Sequence, residues 1–302
     1  MKRGILVYNP TAGQRDLRGA MSALIDRMRG RGLELVNAPT SGPGDATEIV
    51  RAFVAKGIDL IAVCGGDGTV SEVAAGLDGA RVPLGLLPGG TSNVLALELG
   101  IPFELSRAEE LLLDGVPTDL RLAHAGERPF LLWTGAGLDA RVMGKMNLTL
   151  KRRLGRWGIT PTAYSEFFRY EFPRMEVEVD GVRQEATYAV VSRVSHYAGD
   201  WIITPESRPD SDTLDVLLFN HHHLWKLFRL FQEMKRGRSG HLANGLARVV
   251  RGREVSIRSL ESYPVDIQVD GDCVLETPVR CRVGEETVRV LVPKTSERNS
   301  EQ

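Results

Sequence analysis

Cysteine is scarce in this chain: three residues in 302, too few and too scattered for a disulfide framework. Cys64 and Cys281 fall at apolar positions of strand-like runs, where cysteine behaves as a small buried hydrophobe. An excess of either charge is also missing. Lys plus Arg number 38 against 39 Asp plus Glu, a net charge of −1, so a nucleic-acid partner has no overall electrostatic support. No apolar run is long enough to span a bilayer, and the opening residues reach Asn9-Pro10 before they could form the apolar core of a signal peptide. These absences predict a cytoplasmic protein. No Gly-x-x-x-x-Gly-Lys-Ser/Thr run occurs, which excludes a P-loop, and the first strand–helix turn lacks the Gly-x-Gly-x-x-Gly of a Rossmann site. No internal repeat or low-complexity linker is visible.

What is present is a set of glycine loops, each between a strand and a helix. Ile58 to Cys64 is short, β-branched and almost wholly apolar, the pattern of a buried strand. Gly65-Gly66-Asp67-Gly68 follows, then Thr69-Val70-Ser71-Glu72, whose Thr69 and Glu72 have the spacing of a capping box. Val70, Val73, Ala74 and Leu77 give the next helix an apolar face. Asn9-Pro10-Thr11-Ala12-Gly13 stands in the same way after the strand Gly4–Tyr8. Pro88-Gly89-Gly90-Thr91-Ser92-Asn93 stands after Pro83–Leu87. Backbone N–H groups bare of side chains, at a helix N-terminus, can approach phosphate oxygens closely. Asp67 would repel phosphate directly, so it makes sense with magnesium, water or a ribose hydroxyl between them. Loops at the carboxyl ends of parallel strands line one crevice.

The pattern changes near residue 120. Before it, strands at 4–8, 33–38, 58–64 and 83–87 alternate with helical patterns near 16–30, 45–56 and 70–78, which predicts a parallel α/β domain. After it, strand-like runs dominate, at 118–125, 129–134, 175–180, 183–194, 213–219, 247–258, 264–270, 278–283 and 287–292. Asp180-Gly181 and Asp270-Gly271 are hairpin signals. The expectation is an α/β N-terminal domain over 1–120, completed by 287–302, and a C-terminal β-sandwich over 121–286, with the reaction in the cleft between them. A helix over 221–236 interrupts the sandwich. Leu224, Leu227, Phe228, Phe231 and Met234 form its apolar face, and Trp225, Lys226 and Arg229 accompany them. It suits packing on the sandwich or docking on an anionic membrane. Lys151-Arg152-Arg153-Leu154-Gly155-Arg156-Trp157 has a similar character. His221-His222-His223 is not expected to share a metal, because adjacent helical histidines diverge.

The ordered motifs resemble the diacylglycerol kinase catalytic-domain family in its soluble bacterial lipid kinase form. Asn9 to Gly13, Gly65 to Thr69 with Glu72, and Pro88 to Asn93 carry the resemblance. So do Gly135-Ala136-Gly137-Leu138-Asp139-Ala140, the segment Tyr197 to Asp200 running on to Leu214-Asp215, and Asp270-Gly271-Asp272. The resemblance implies a fold like that of NAD kinase and phosphofructokinase, followed by the sandwich, and transfer of phosphate from ATP with Mg²⁺ to a lipid hydroxyl at the membrane surface. It implies nucleotide binding by Asn9, Pro10, Thr11, Ala12, Gly13, Thr40, Gly65, Gly66, Asp67, Gly68, Thr69, Val70, Ser71, Glu72, Gly90, Thr91 and Asn93. Asp270 is implied as the base and Asp272 as its catalytic companion. Asp67 is expected to meet magnesium through ATP, and Asp210 and Asp212 to hold a structural cation. A homodimer stays open, and no nucleic acid or transmembrane segment is expected. The chain departs from the family at Val94, at Asp210-Ser211-Asp212-Thr213-Leu214-Asp215, and at Asp272, where a glutamate is usual.

Two other readings fit the residues. NAD kinase shares Gly-Gly-Asp-Gly-Thr and a β-rich second domain, but the loops at Asn9 and Pro88, and the lack of an Asn-Glu dipeptide after the third loop, argue against it. A nucleotide-binding regulator without catalysis is the third reading, opposed by the presence of Asp67, Glu72 and Asp270.

Overall fold

The computed structural model describes residues 2–10, 16–146, 160–237 and 239–294. The chain divides into two compact units, Met1–Leu120 with Glu286–Gln302, and Arg121–Glu285. Thr11, Ala12, Gly13 and the stretch Lys151 to Trp157 lie outside the described residues.

Unit one is a parallel sheet with helices. β1 (Lys2–Tyr8) lies between β2 (Leu33–Pro39) and β3 (Leu60–Gly65), and β4 (Leu84–Pro88) pairs with β3, all parallel. The end of the chain's last strand returns here, with Val290 opposite Leu84 and Leu291 opposite Gly85, again parallel. Every residue of β3 is buried, as a strand covered on both faces requires. The cover comes from α1 (Arg18–Gly30), α2 (Asp45–Val54), α3 (Asp67–Leu77), α4 (Val94–Glu98) and α5 (Leu105–Asp114). α1 supplies buried Met21, Leu24, Ile25 and Met28 at helical spacing.

β5 (Val116–Ala125) leads into unit two. β6 (Arg128–Phe130) and β7 (Trp133–Ala136) follow, then α6 (Leu138–Gly144) and α7 (Thr160–Phe168). β8 (Met175–Val179), β9 (Val182–Ala186), β10 (Tyr188–Ser192), β11 (His196–Tyr197), β12 (Trp201–Ile202) and β13 (Leu214–Phe219) precede α8 (Leu224–Lys235) and α9 (Gly240–Ala243). β14 (Arg248–Gly252), β15 (Glu254–Ser259), β16 (Asp266–Val269), β17 (Asp272–Glu276) and β18 (Val279–Val292) complete the described elements. One antiparallel sheet runs β14-β13-β10-β7-β16-β17. In the other, β15 lies between β8 and the first half of β18, with β9 outside β8. Leu214, Val216 and Leu218 of the first sheet share a core with Val177, Val255 and Ile257 of the second, so the unit is a β-sandwich.

The expected run 183–194 breaks at Thr187, whose N–H turns to the carbonyl of Phe219 at 2.8 Å as the chain leaves one sheet for the other. The run 247–258 breaks at Arg253, whose N–H is taken by the Asp180 carboxylate at 3.1 Å. The two runs at 278–283 and 287–292 are one strand. The expected helix at 221–236 spans Leu224–Lys235, but its buried face is Leu227, Leu230 and Met234. Phe231 packs edge-on against Tyr188 at 6.0 Å, whereas Trp225 and Phe228 are 59% and 53% exposed. No helix among the described residues is long and apolar enough to cross a membrane.

Candidate functional site

Each glycine loop of unit one begins at the carboxyl end of a parallel strand, and backbone hydrogen bonds tie these ends together. Asn9 N–H donates to Cys64 O at 3.2 Å, Thr40 N–H to Tyr8 O at 2.9 Å, and Gly89 N–H to Gly65 O at 3.1 Å. The structure thus brings Asn9, Pro10, Thr40, Gly65 to Glu72 and Gly90 to Asn93 to one edge of one sheet. The loops touch backbone to backbone. A Cβ on Gly90 would stand 2.3 Å from Gly66 Cα, and one on Gly65 would stand 2.7 Å from the Thr69 side chain. Asn93, in the left-handed region with φ 48°, closes its own loop: its Oδ1 accepts Gly90 N–H at 2.9 Å and its Nδ2 donates to Gly90 O at 3.0 Å.

The expected capping box does not form. α3 begins at Asp67, with Gly66 as its cap residue and no side-chain cap. Asp67 instead bridges two loops: its carboxylate accepts Val94 N–H at 3.0 Å and Leu95 N–H at 3.1 Å, capping α4 from outside. Glu72 turns to α2 and accepts Ala46 N–H at 3.3 Å. Both acids therefore join segments far apart in sequence, which a local spacing rule does not reveal. Beneath them Cys64 is buried, and burial pushes its thiol up to about 12.

In unit two, both Asp-Gly pairs form two-residue hairpins with both residues at positive φ. Their aspartates do the same work. Asp180 accepts the N–H groups of Arg253 and Glu254. Asp270 accepts those of Leu131, Leu132 and Trp133 at 2.9, 3.0 and 3.1 Å. Asp272 is exposed at the head of β17. Sequence reasoning missed the polar core behind this turn. Asp139 lies there with Gln268 and Tyr197. The signal was Gly135-x-Gly137: a Cβ on Gly135 would stand 2.0 Å from Asp139 Oδ2, and one on Gly137 would stand 2.3 Å from the Tyr170 hydroxyl. Burial pushes the Asp139 carboxyl up to about 6.

The segment Arg208 to Asp215 does not fit a structural cation. Asp210 pairs with Arg208 at 2.9 Å, Asp212 with Arg253, and Asp215 with Arg251 at 2.7 Å. Arg193, 1% exposed, already supplies a positive charge: its guanidinium donates to the carbonyls of Thr213, Pro209 and Ser211 at 2.7, 2.8 and 2.8 Å. Among the described residues no group of three or more His, Cys, Asp or Glu side chains is placed to hold a metal.

Glycine loops on the carboxyl edge of a parallel α/β unit, with a β-sandwich unit after it, define the class. Residues 3–125 match the diacylglycerol kinase catalytic domain, and residues 133–292 match the YegS C-terminal NAD kinase beta sandwich-like domain. The chain belongs to the bacterial lipid kinase family that joins these two domains. A diacylglycerol kinase of Mycobacterium tuberculosis (strain CDC 1551 / Oshkosh) is 26% identical over 295 residues, 95% of this chain and 94% of that one. A diacylglycerol kinase of Bacillus subtilis (strain 168) is 26% identical over 242 residues, 78% of this chain and 80% of that one. The solved structure of a diacylglycerol kinase from Bacillus anthracis strain Sterne has a TM-score of 0.73 at 22% identity, with 97% of each chain covered. That last likeness bears on the fold alone.

Proposed function

We propose that this protein is an ATP-dependent lipid kinase that moves the γ-phosphate of ATP to a hydroxyl of diacylglycerol or a related lipid at the membrane surface. A contrast among the glycines carries the nucleotide half of this reading. Packing within the protein demands glycine at Gly65 and Gly90, but a Cβ at Gly68 would meet nothing within 4 Å, and one at Gly66 would make only ordinary contact at 3.4 Å. Gly66 is also in extended backbone, φ −90°, which any residue adopts. A glycine within a helix costs up to about 1 kcal/mol relative to alanine. Bare backbone at that place suits a ligand that must come close, and the N–H groups and dipole of a helix N-terminus favour phosphate.

Asp67 acts here by fixing α3 against α4, so that the two loops keep one geometry. Magnesium belongs to the nucleotide substrate and neutralises the polyphosphate. Asp270 receives the acceptor's proton as the P–O bond forms, and Asp272 helps to orient the acceptor. The family resemblance of the Asp-Gly-Asp turn supports these two roles.

The test pairs radiolabelled ATP with diacylglycerol, a sphingoid base and NAD, followed by organic extraction, with ATP binding measured by calorimetry. Label in the organic phase supports the proposal. Label on NAD, or ATP binding with no transfer, refutes it in favour of one of the other two readings. Because Asp270 also holds its turn, Asp180→Asn serves as the structural control for Asp270→Asn. Both should lose similar melting temperature, but only Asp270→Asn should lose turnover, by about a hundredfold or more, with ATP affinity near normal. Equal turnover in the two variants removes Asp270 from the chemistry.

A further inference from the structure

The buried polar core of unit two reaches the Asp270–Gly271 turn through one side chain. Asp139, 7% exposed, accepts Ala140 N–H on Oδ1 at 2.8 Å. On Oδ2 it accepts Gln268 Nε2 at 3.1 Å and the Tyr197 hydroxyl at 3.3 Å. Gln268 is 1% exposed, and its Oε1 accepts Gly271 N–H at 2.7 Å. Among the described residues, the phenols of Tyr170 and Tyr188 and the thiol of Cys273 also feel the charge of Asp139. Arg141, on the same helix, is directed to Glu166 at 3.3 Å.

We infer that Gln268 is a positioning residue: ionised Asp139 sets the orientation of its amide, and the amide in turn holds the Asp270–Gly271 turn. The inference rests on the reading of that turn as part of the active site. An ionised carboxylate only accepts hydrogen bonds. It must therefore face Nε2, which leaves Oε1 turned to Gly271 N–H. A protonated Asp139 can give its proton to the Tyr197 hydroxyl and still accept Gln268 Nε2 on Oδ2. The bond from Nε2 is then between neutral groups, roughly half as strong as the charge-assisted bond to a carboxylate. The amide is therefore held in its orientation less firmly, and with it the bond from Gly271 N–H to Oε1. Burial brings the change of charge up to about pH 6, so protonation of Asp139 loosens the turn on the acid side.

The experiment follows the Gly271 amide by nitrogen-15 NMR in the full-length protein from pH 5 to 7.5, with turnover measured over the same range. In the wild type, the Gly271 resonance should titrate with a midpoint near 6 while that of Gly181, in the matching hairpin, does not. Asp139→Asn should abolish the titration. Gln268→Leu should abolish it too, and should speed Gly271 amide exchange by about fivefold or more, the effect of one lost hydrogen bond. A wild-type Gly271 resonance that stays fixed across this range overturns the inference, with no variant needed. Turnover tells the positioning role apart from the catalytic reading of the turn. A Gly271 resonance and a kcat that titrate with one midpoint support the positioning role, and a titrating Gly271 with flat kcat overturns it. A fixed Gly271 with turnover lost in Asp270→Asn overturns the inference and leaves the catalytic reading of the turn standing.

Discussion

Gly68 and Gly90 stand on neighbouring loops and are glycine for opposite reasons. At Gly90 a Cβ would fall 2.3 Å from the backbone of Gly66, a clash that no side-chain motion relieves. Gly90→Ala should therefore destabilise unit one by about 1–3 kcal/mol, the usual cost of overpacking. At Gly68 the space is open, so Gly68→Ala should raise stability by up to about 1 kcal/mol through helix propensity. It should also weaken ATP binding at least about tenfold, the equivalent of roughly 1.4 kcal/mol. Urea denaturation and calorimetry read both signs, and a stabilised variant with unchanged ATP affinity removes the phosphate assignment. Asp139 gives a second prediction. Its carboxyl is raised from 3.8 to about 6 by burial. Its stabilising contribution is therefore complete below about pH 3.8 and is lost as pH rises through 6, up to about 3 kcal/mol. The stability of the wild type minus that of Asp139→Asn should fall over this range. Acids held low by arginines, such as Glu110 beside Arg31 and Asp119 beside Arg289, run the other way, but equally in both proteins. A difference that is flat with pH refutes the assignment.

Among the elements, α8 divides its residues between two tasks. Leu227, Leu230 and Met234 are buried and fix the helix to its unit. Trp225 and Phe228 are more than half exposed, with the Lys226 ammonium 5.8 Å from the Trp225 ring. Aromatic residues beside cations suit an anionic membrane surface. Trp225→Ala combined with Lys226→Glu should weaken binding to phosphatidylglycerol vesicles about tenfold or more, two lost surface contacts of the order of 1 kcal/mol each, with melting nearly unchanged. Leu230→Ala should lower stability by about 2–5 kcal/mol without changing vesicle binding by the folded protein. Unchanged vesicle binding in the double variant assigns α8 to packing alone.

For the whole molecule, the arrangement around Arg193 bears on metal dependence. The loop carbonyls that a cation would gather are already gathered by a guanidinium. The melting temperature of the ligand-free protein should be the same in EDTA and in millimolar Mg²⁺, and Mg²⁺ should matter only once ATP is present. Arg193→Met should lower stability by several kcal/mol, on the order of 1.5–3 for each hydrogen bond to a charged donor that is lost. A melting temperature that falls in EDTA places a structural metal in the fold.

Local signals were enough for much of this protein. β3 is legible because Ile61, Ala62 and Val63 are apolar on both faces, and the Asp180-Gly181 and Asp270-Gly271 turns because few residue pairs adopt two positive φ angles in succession. The α/β unit and the sandwich follow from the change of period near residue 120. The partners of the polar side chains did not follow. Thr69 and Glu72 have capping-box spacing, yet Glu72 serves α2 and Asp67 caps α4. The strands break at Thr187 and Arg253 because Phe219 and Asp180 claim those N–H groups. Phe228 faces outward while Leu230 is buried, although the expected apolar face held Phe228 and omitted Leu230. Propensity and periodicity act over a turn or a strand, and these the sequence determined by itself. Which distant backbone a carboxylate, an amide or a guanidinium completes depends on segments that meet only in the folded chain, and there the tertiary structure alone decided.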